Sequence, residues 1–411
     1  KSPLMKICLV HNSYEQPGGE DVVFKQEKAS LERAGHAITV YHRSNSEIAR
    51  SSPLAQISLA KDMVWSSRTR REFSQQLDRE APDLVHVHNT FFVISPSIYA
   101  ACKERGIPVV QTLHNFRWMC PAYSFYRDGE ICEDCLQGSL WNSIRHGCYR
   151  NSRAATAGVA MIIAWQRVLK TWEECIDCYI ALTEFAREKF IAAGLEPGKI
   201  FVKPNFVEID PGHSMEVGDY ALYVGRLSKE KGLDTLLRAW ERLSVPCPLQ
   251  IIGDGPEREA LQSRVRERNI ANVTFRGFLS RTESIAAMKR ARFVVVPSEW
   301  YEGFPMVIAE AMACGKPVIC SRLGAMKEIV NDCGTGLHFT SGDAQNLART
   351  VGWAWNHPAE MSEFGRAARL QYERRYSAQR NYDLTMEIYE TTLRCARRTN
   401  PVPLTQDFAR P

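Results

Sequence analysis

A chain of 411 residues with 45% hydrophobic, 24% charged and 10% aromatic residues has a soluble globular profile, long enough for two or three domains with sizeable cores. Its 52 basic against 47 acidic residues leave a formal charge of +5, too small a bias for a dedicated nucleic-acid binder. Thirteen cysteines, an odd number scattered along the chain, exclude a small secreted disulfide scaffold.

No apolar segment opens the chain, so no signal peptide is expected and Met5 reads as the native start. The longest nearly unbroken apolar stretch, Ala154 to Trp165, has 12 residues, whereas a membrane-spanning helix needs ~20. Short β-branched runs then alternate with longer amphipathic ones. Ile7–His11, Ala37–Tyr41, Leu84–Val87 and Pro108–Leu113 read as buried strands, with helices near 20–34, 68–80 and 96–105. The pattern resumes with strands at Tyr220–Val224, Leu249–Ile252, Val273–Phe275, Phe293–Val296 and Pro317–Cys320, and helices near 232–243, 256–268, 281–290 and 305–313. Such alternation predicts α/β architecture with parallel sheets covered on both faces. The Pro- and Gly-containing stretch 204–213 reads as a linker. The expected domains are 1–203, with a cysteine-containing insert near 115–153, and 214–375. A helix over 376–399 is expected to pack back on the first domain, and a frayed tail over 400–411 to follow it.

Open parallel sheets bind ligands beyond the carboxyl ends of their strands, so the strand-to-helix loops carry the argument. After the first strand comes Asn12-Ser13-Tyr14-Glu15-Gln16-Pro17-Gly18-Gly19-Glu20. Gly18 and Gly19 can let backbone N–H groups approach an anion at a helix start, or simply form a turn. Gly225-Arg226-Leu227-Ser228-Lys229-Glu230-Lys231-Gly232 sets two cations before a helix. They suit a diphosphate or a solvated basic turn. Gly253 lies in Ile252-Gly253-Asp254-Gly255-Pro256, which can line a nucleotide pocket or serve only as a tight turn. The richest loop is Pro297-Ser298-Glu299-Trp300-Tyr301-Glu302-Gly303-Phe304-Pro305, leading into a helix whose apolar run is broken by Glu310. A carboxylate there needs a partner: vicinal sugar hydroxyls, or a Lys or Arg.

His86 and His88 alternate along one strand and are read as pointing to opposite faces. His88, nearer the strand end, is the one expected to face the cleft and an acceptor. The insert contains Cys120, Cys132, Cys135 and Cys148, spaced C-x11-C-x2-C-x12-C; this suits a structural zinc site or a set of free cysteines. From Cys135 to Trp172 there is no Asp or Glu, while Arg145, Arg150, Arg153, Arg167 and Lys170 stand beside Trp141, Trp165 and Trp172. That mixture suits an anionic membrane surface, or a buried helix with a solvated basic end.

Glu302 through Glu310 resembles the E-x7-E signature of family-4 retaining glycosyltransferases. The Gly225–Gly232 element is similar to their diphosphate loop, and Thr112-Leu113-His114 to their histidine loop, all in the same order along the chain. The resemblance implies a GT-B fold: two Rossmann-like domains facing across a cleft, with a C-terminal helix crossing back. It implies that Gly225, Arg226 and Lys231 bind the donor diphosphate. Glu310 would bind ribose, Glu302 with Gly303 and Phe304 the transferred sugar, and His114 would lie against that sugar. Gly18 and Gly19 would approach from the first domain. The implied substrates are a UDP- or GDP-sugar and a glycan or polyprenyl-linked acceptor of bacterial cell-surface polysaccharide or lipopolysaccharide biosynthesis. The implied location is cytoplasmic or peripheral on the inner membrane face, with no nucleic-acid partner. The sequence has no Asp-x-Asp, so no catalytic metal is expected. A hydrolysing nucleotide-sugar epimerase and a non-catalytic nucleotide-sugar-binding protein are the competing readings.

Overall fold

The computed structural model describes residues 4–15, 18–49 and 62–399. The predicted frayed tail, and Gln16 and Pro17 of the first glycine loop, lie outside these residues. Strands β1 (Lys6–Ser13), β2 (Ala37–Ser44), β3 (Leu84–Asn89) and β4 (Val109–Leu113) belong to the first half. A small hairpin, β5 (Tyr126–Arg127) and β6 (Glu130–Ile131), sits in the insert, and β7 (Cys178–Ala181) and β8 (Ile200–Val202) complete the first sheet. Its order is β2-β1-β3-β4-β7-β8. The second sheet holds β9 (Ala221–Val224), β10 (Leu249–Ile252), β11 (Val273–Gly277), β12 (Phe293–Val296), β13 (Val318–Ser321) and β14 (Gly336–Phe339). Its order is β11-β10-β9-β12-β13-β14, that of a doubly wound dinucleotide fold.

Pairings within each main sheet are parallel. β3 and β12 are buried along their whole length, because helices cover both sheet faces and leave no solvent side for polar alternation. Two Rossmann-like domains result. Phe73, Val85 and Tyr99 belong to one core, and Leu222, Val294 and Met312 to another.

The helix Ala378–Thr399 crosses back to the first sheet. Tyr382, Met386, Tyr389 and Leu393 recur at helical spacing and pack against a cluster containing Ile7, Leu9 and Phe24. Burying each such side chain contributes about 1.5–3 kcal/mol. The Tyr389 hydroxyl also bonds His86 Nδ1 at 2.6 Å, and the Tyr382 hydroxyl bonds His36 at 3.0 Å.

One expectation fails here. Residues two apart on a strand share a face, and the rings of His86 and His88 lie 4.4 Å apart. They therefore point the same way rather than to opposite faces.

Candidate active site

Both sheets reverse their winding at the strand ends that face each other, between β1 and β3 and between β9 and β12. The loops leaving these strands border a cleft of about 1290 Å³, larger than the ~300–1,000 Å³ of a single small-molecule pocket. Gly18, Gly19 and His114 line it from the first domain; Arg226, Glu302, Gly303 and Phe304 line it from the second. The halves touch at the centre. A Cβ on Gly303 would come within 2.6 Å of the His114 carbonyl oxygen, so only glycine permits this approach.

In the second domain, β9 ends at Val224 and the loop exposes Arg226, whose carbonyl accepts a 2.8 Å bond from the Tyr223 hydroxyl. Among the described residues no carboxylate pairs with the Arg226 guanidinium. Lys231 behaves differently. Its ammonium donates to Glu302 Oε1 at 2.6 Å and stands 5.2 Å from the Trp300 ring centre. Ser298 donates to the same oxygen at 2.7 Å. Burial alone would raise the Glu302 carboxyl; the Lys231 charge and the two hydrogen bonds outweigh it and hold it below the usual range. Glu310, by contrast, is raised by burial and opposed only in part by Arg281, which bonds it at 3.1 Å. Of the two partners considered for Glu310, the structure contains the arginine.

Five predicted site residues do not line the cleft: Gly225, Lys231, Gly253, Glu310 and His88. Lys231 stands behind Glu302. Gly253 has φ +139° and a Cβ there would meet the Gly225 carbonyl at 1.8 Å, so it packs on the backbone of the Gly225–Gly232 loop. His88 is 2% exposed and hydrogen-bonds through Nδ1 to His114 Nε2 at 3.0 Å. It supports the cleft histidine instead of facing an acceptor. His86 is a satisfied core residue, bonded to Tyr389 and to the Thr112 hydroxyl at 2.7 Å. Burial first, then the neighbouring His11 and His86, push the His114 imidazole down to about 3.

The first domain also supplies cleft residues that motif reading missed. Arg117, 4% exposed, lies within 5.6 Å of the ring centres of Phe91, Phe92, Tyr123 and Tyr149. Glu20 accepts from Asn115 at 3.4 Å. Arg117 follows His114 by three positions, but its aromatic cage comes from separated segments that no local spacing reveals.

The insert folds around the hairpin and two short helices, Asp134–Gln137 and Trp141–His146. Cys120, Cys132, Cys135 and Cys148 are all free thiols. Among the described residues, the metal-suited cluster with ligand atoms within 4.8 Å of one another is Glu27, His86 and His88. No three of these cysteine sulfurs meet that spacing, and tetrahedral zinc with Zn–S bonds of ~2.3 Å requires it. The fold nevertheless gathers the four into one neighbourhood: burial first, and then the nearby cysteines, raise the Cys120, Cys135 and Cys148 thiols.

The helix Arg153–Val168 follows. Val159 and Ile162 on its inner side line the cleft, while Met161 (61%), Trp165 (46%) and Val168 (74%) are exposed on its outer side. Trp172 is buried, stacked on Trp118 at 4.3 Å. Among the described residues no helix is long and apolar enough to cross a membrane.

Residues 17–211 match the family model described as glycosyltransferase family 4, and residues 212–371 that of glycosyl transferases group 1. Glycogen synthase of Mycobacterium tuberculosis is 34% identical over 333 residues, covering 78% of this chain and 71% of that enzyme. The O-antigen chain mannosyltransferase C of Escherichia coli is 29% identical over 180 residues, covering 43% of this chain and 48% of that protein. Anabaena Alr3699/HepE, solved in complex with UDP, superposes with a TM-score of 0.67 at 17% identity, covering 94% of this chain and 100% of that one. The chain belongs to the family-4 glycosyltransferases and carries their GT-B fold.

Proposed function

We propose that this glycosyltransferase moves a hexose from a UDP- or GDP-sugar to a glycan or lipid-linked acceptor of a bacterial cell surface, with retention and without a catalytic metal. The observation that carries this reading is the central contact of the cleft. Gly303 abuts His114 from the opposite domain, beside the Lys231–Glu302 pair and Arg226. The UDP in the Anabaena structure and the O-antigen activity of the Escherichia coli relative support the substrate classes.

In this reading Arg226 and Lys231 take up the charge that develops on the leaving diphosphate, the role a metal fills elsewhere. The absence of an Asp-x-Asp motif supports that division of labour. Glu302, tied to Lys231 and Ser298, orients the transferred sugar rather than attacking it. The acceptor hydroxyl attacks on the face that the diphosphate leaves, and the leaving phosphate takes its proton. Glu310 exchanges Arg281 for the ribose hydroxyls when donor binds. We assign residues 1–203 to the acceptor side, 214–375 to the donor side, and 204–213 to the linker.

The exposed Met161, Trp165 and Val168, next to the basic residues Arg153 and Lys170, support peripheral docking on anionic lipid at the inner membrane face. Flotation with anionic vesicles at low salt tests that part, and loss of binding in Trp165→Glu is expected. For the reaction itself, the purified chain is incubated with a panel of nucleoside-diphosphate sugars, with and without EDTA. Release of nucleoside diphosphate from one donor, insensitive to EDTA and accelerated by an acceptor glycan, is the expected result. No release from any donor would sink the proposal, and a product with inverted anomeric configuration would remove retention.

A further inference from the structure

Behind His114, on the side away from the cleft, lies a group of buried polar residues that the proposed chemistry does not use. His88 Nδ1 meets His114 Nε2 at 3.0 Å. On its other side His88 Nε2 faces Glu27 Oε2 at 3.6 Å, an ion-pair approach, and neither atom has a hydrogen-bond partner. Glu27 Oε1 is held by Lys203 Nζ at 2.6 Å, and Lys203 in turn reaches Asn381 on the C-terminal helix at 3.4 Å. Glu27, His88 and Lys203 are each at most 3% exposed.

The same carboxylate, with His86 and His88, has the spacing of a metal cluster. Glu27 Oε2 and His88 Nε2 are open, but the third ligand is not. The Lys203 ammonium occupies one side of Glu27, and both nitrogens of His86 bond hydroxyls, those of Tyr389 and Thr112. A second cation beside Lys203 would meet its charge in a buried setting.

We infer that Glu27 and His88 are positioning residues that fix the tautomer of His114. A carboxylate can only accept hydrogen bonds. Glu27, kept ionised by Lys203, therefore favours the His88 proton on the facing Nε2. His88 Nδ1 is then a lone pair and accepts the proton of His114 Nε2. His114 is left with a bare Nδ1, a hydrogen-bond acceptor for a sugar hydroxyl in the cleft. The relay parallels the carboxylate–imidazole pairs that orient catalytic and metal-bound histidines elsewhere. It rests on the reading that His114 faces the transferred sugar.

Long-range proton–nitrogen spectra of the imidazoles of the full chain test this directly. The expected wild-type pattern has His114 and His88 both protonated at Nε2. A wild-type His114 protonated at Nδ1 overturns the proposal, whatever any variant does. Glu27→Gln combined with Lys203→Met replaces the buried ion pair without leaving an orphaned charge. The double variant should show mixed His114 tautomers, a kcat lower by about 10–100-fold, and a donor KM within about threefold of wild type. An unchanged tautomer, or an unchanged kcat in the folded double variant, also overturns it. If wild type transfers no sugar, the proposed function fails while the wild-type spectrum still decides the tautomer, so the two failures are distinguishable.

Discussion

The two walls of the cleft solve different problems. The wall from the second domain, which we propose as the donor side, is charged and local. Arg226 and Glu302 line it, Lys231 and Glu310 stand outside the lining, and all four come from two loop-helix segments; three of them are paired across short distances. The wall from the first domain, which we propose as the acceptor side, is mixed: His114, Asn115, Phe92 and Tyr149 line it beside the charged Glu20 and Arg117, from the segments that follow β1, β3 and β4 and from the insert. A second set of charged groups, Glu27 and Lys203, is buried behind that surface. In the proposed reading, a wall that holds a constant diphosphate can be written in contiguous motifs. In the same reading, a wall that suits one particular acceptor is composed from distant segments.

The largest effect should come from the donor wall. Arg226→Ala or Lys231→Ala should lower kcat/KM about 100–1,000-fold, the scale of one lost oxyanion donor. Equal, small losses in both would break the contrast between the walls. Lys231→Ala should also reverse the Glu302 titration. With the ammonium gone, burial dominates and raises the carboxyl, so the acid limb of the rate profile moves to higher pH. Glu302→Ala with full activity would remove the sugar-orienting role.

Gly303→Ala tests the seam where the walls meet. The added methyl presses on the His114 carbonyl, and overpacking of this kind costs about 1–3 kcal/mol. Activity should fall about tenfold or more, with nucleoside-diphosphate binding by calorimetry little changed.

The acceptor wall should announce itself in acid. His114 is pushed down to about 3 and His86 to about 4, both chiefly by burial. In the unfolded chain a histidine titrates near ~6.5. Between these values the unfolded state binds more protons, so stability declines as pH falls below about 6.5. Thermal midpoints measured at pH 7.5 and 5 should show the drop. The smallest effect expected is at the outer seam. There Glu328 accepts from the Glu184 and Phe185 amides at 3.0 and 2.9 Å, capping a helix of the other domain. Glu328→Ala should cost about 0.5–1 kcal/mol in chemical denaturation.

The contrast also explains what could be read from the sequence. Val294 and Val295 betray a parallel strand because covered sheets leave apolar runs, and so the alternation of both sheets was legible. Arg226 and Glu302 were legible because strand-to-helix loops place neighbouring residues at the cleft. Glu27 and Lys203 were not, since 176 positions separate them and only the fold supplies their partnership. Local spacing could not show that Gly253 packs on the Gly225 carbonyl, nor how close the four insert cysteines come, which depends on the fold of the insert. The reading of His86 and His88 failed for a simpler reason, since strand geometry already puts residues two apart on one face.

The returning helix makes the two domains unequal as modules. Its residues belong by sequence to the second half but complete the core of the first, through Tyr389 on His86 and Met386 beside Ile7. A chimera that takes its acceptor domain from this chain and its donor domain from a relative must therefore be cut twice, keeping 378–399 with the first half. A single crossover in the linker would pair the acceptor core with a foreign helix and disturb the histidines next to the reaction centre.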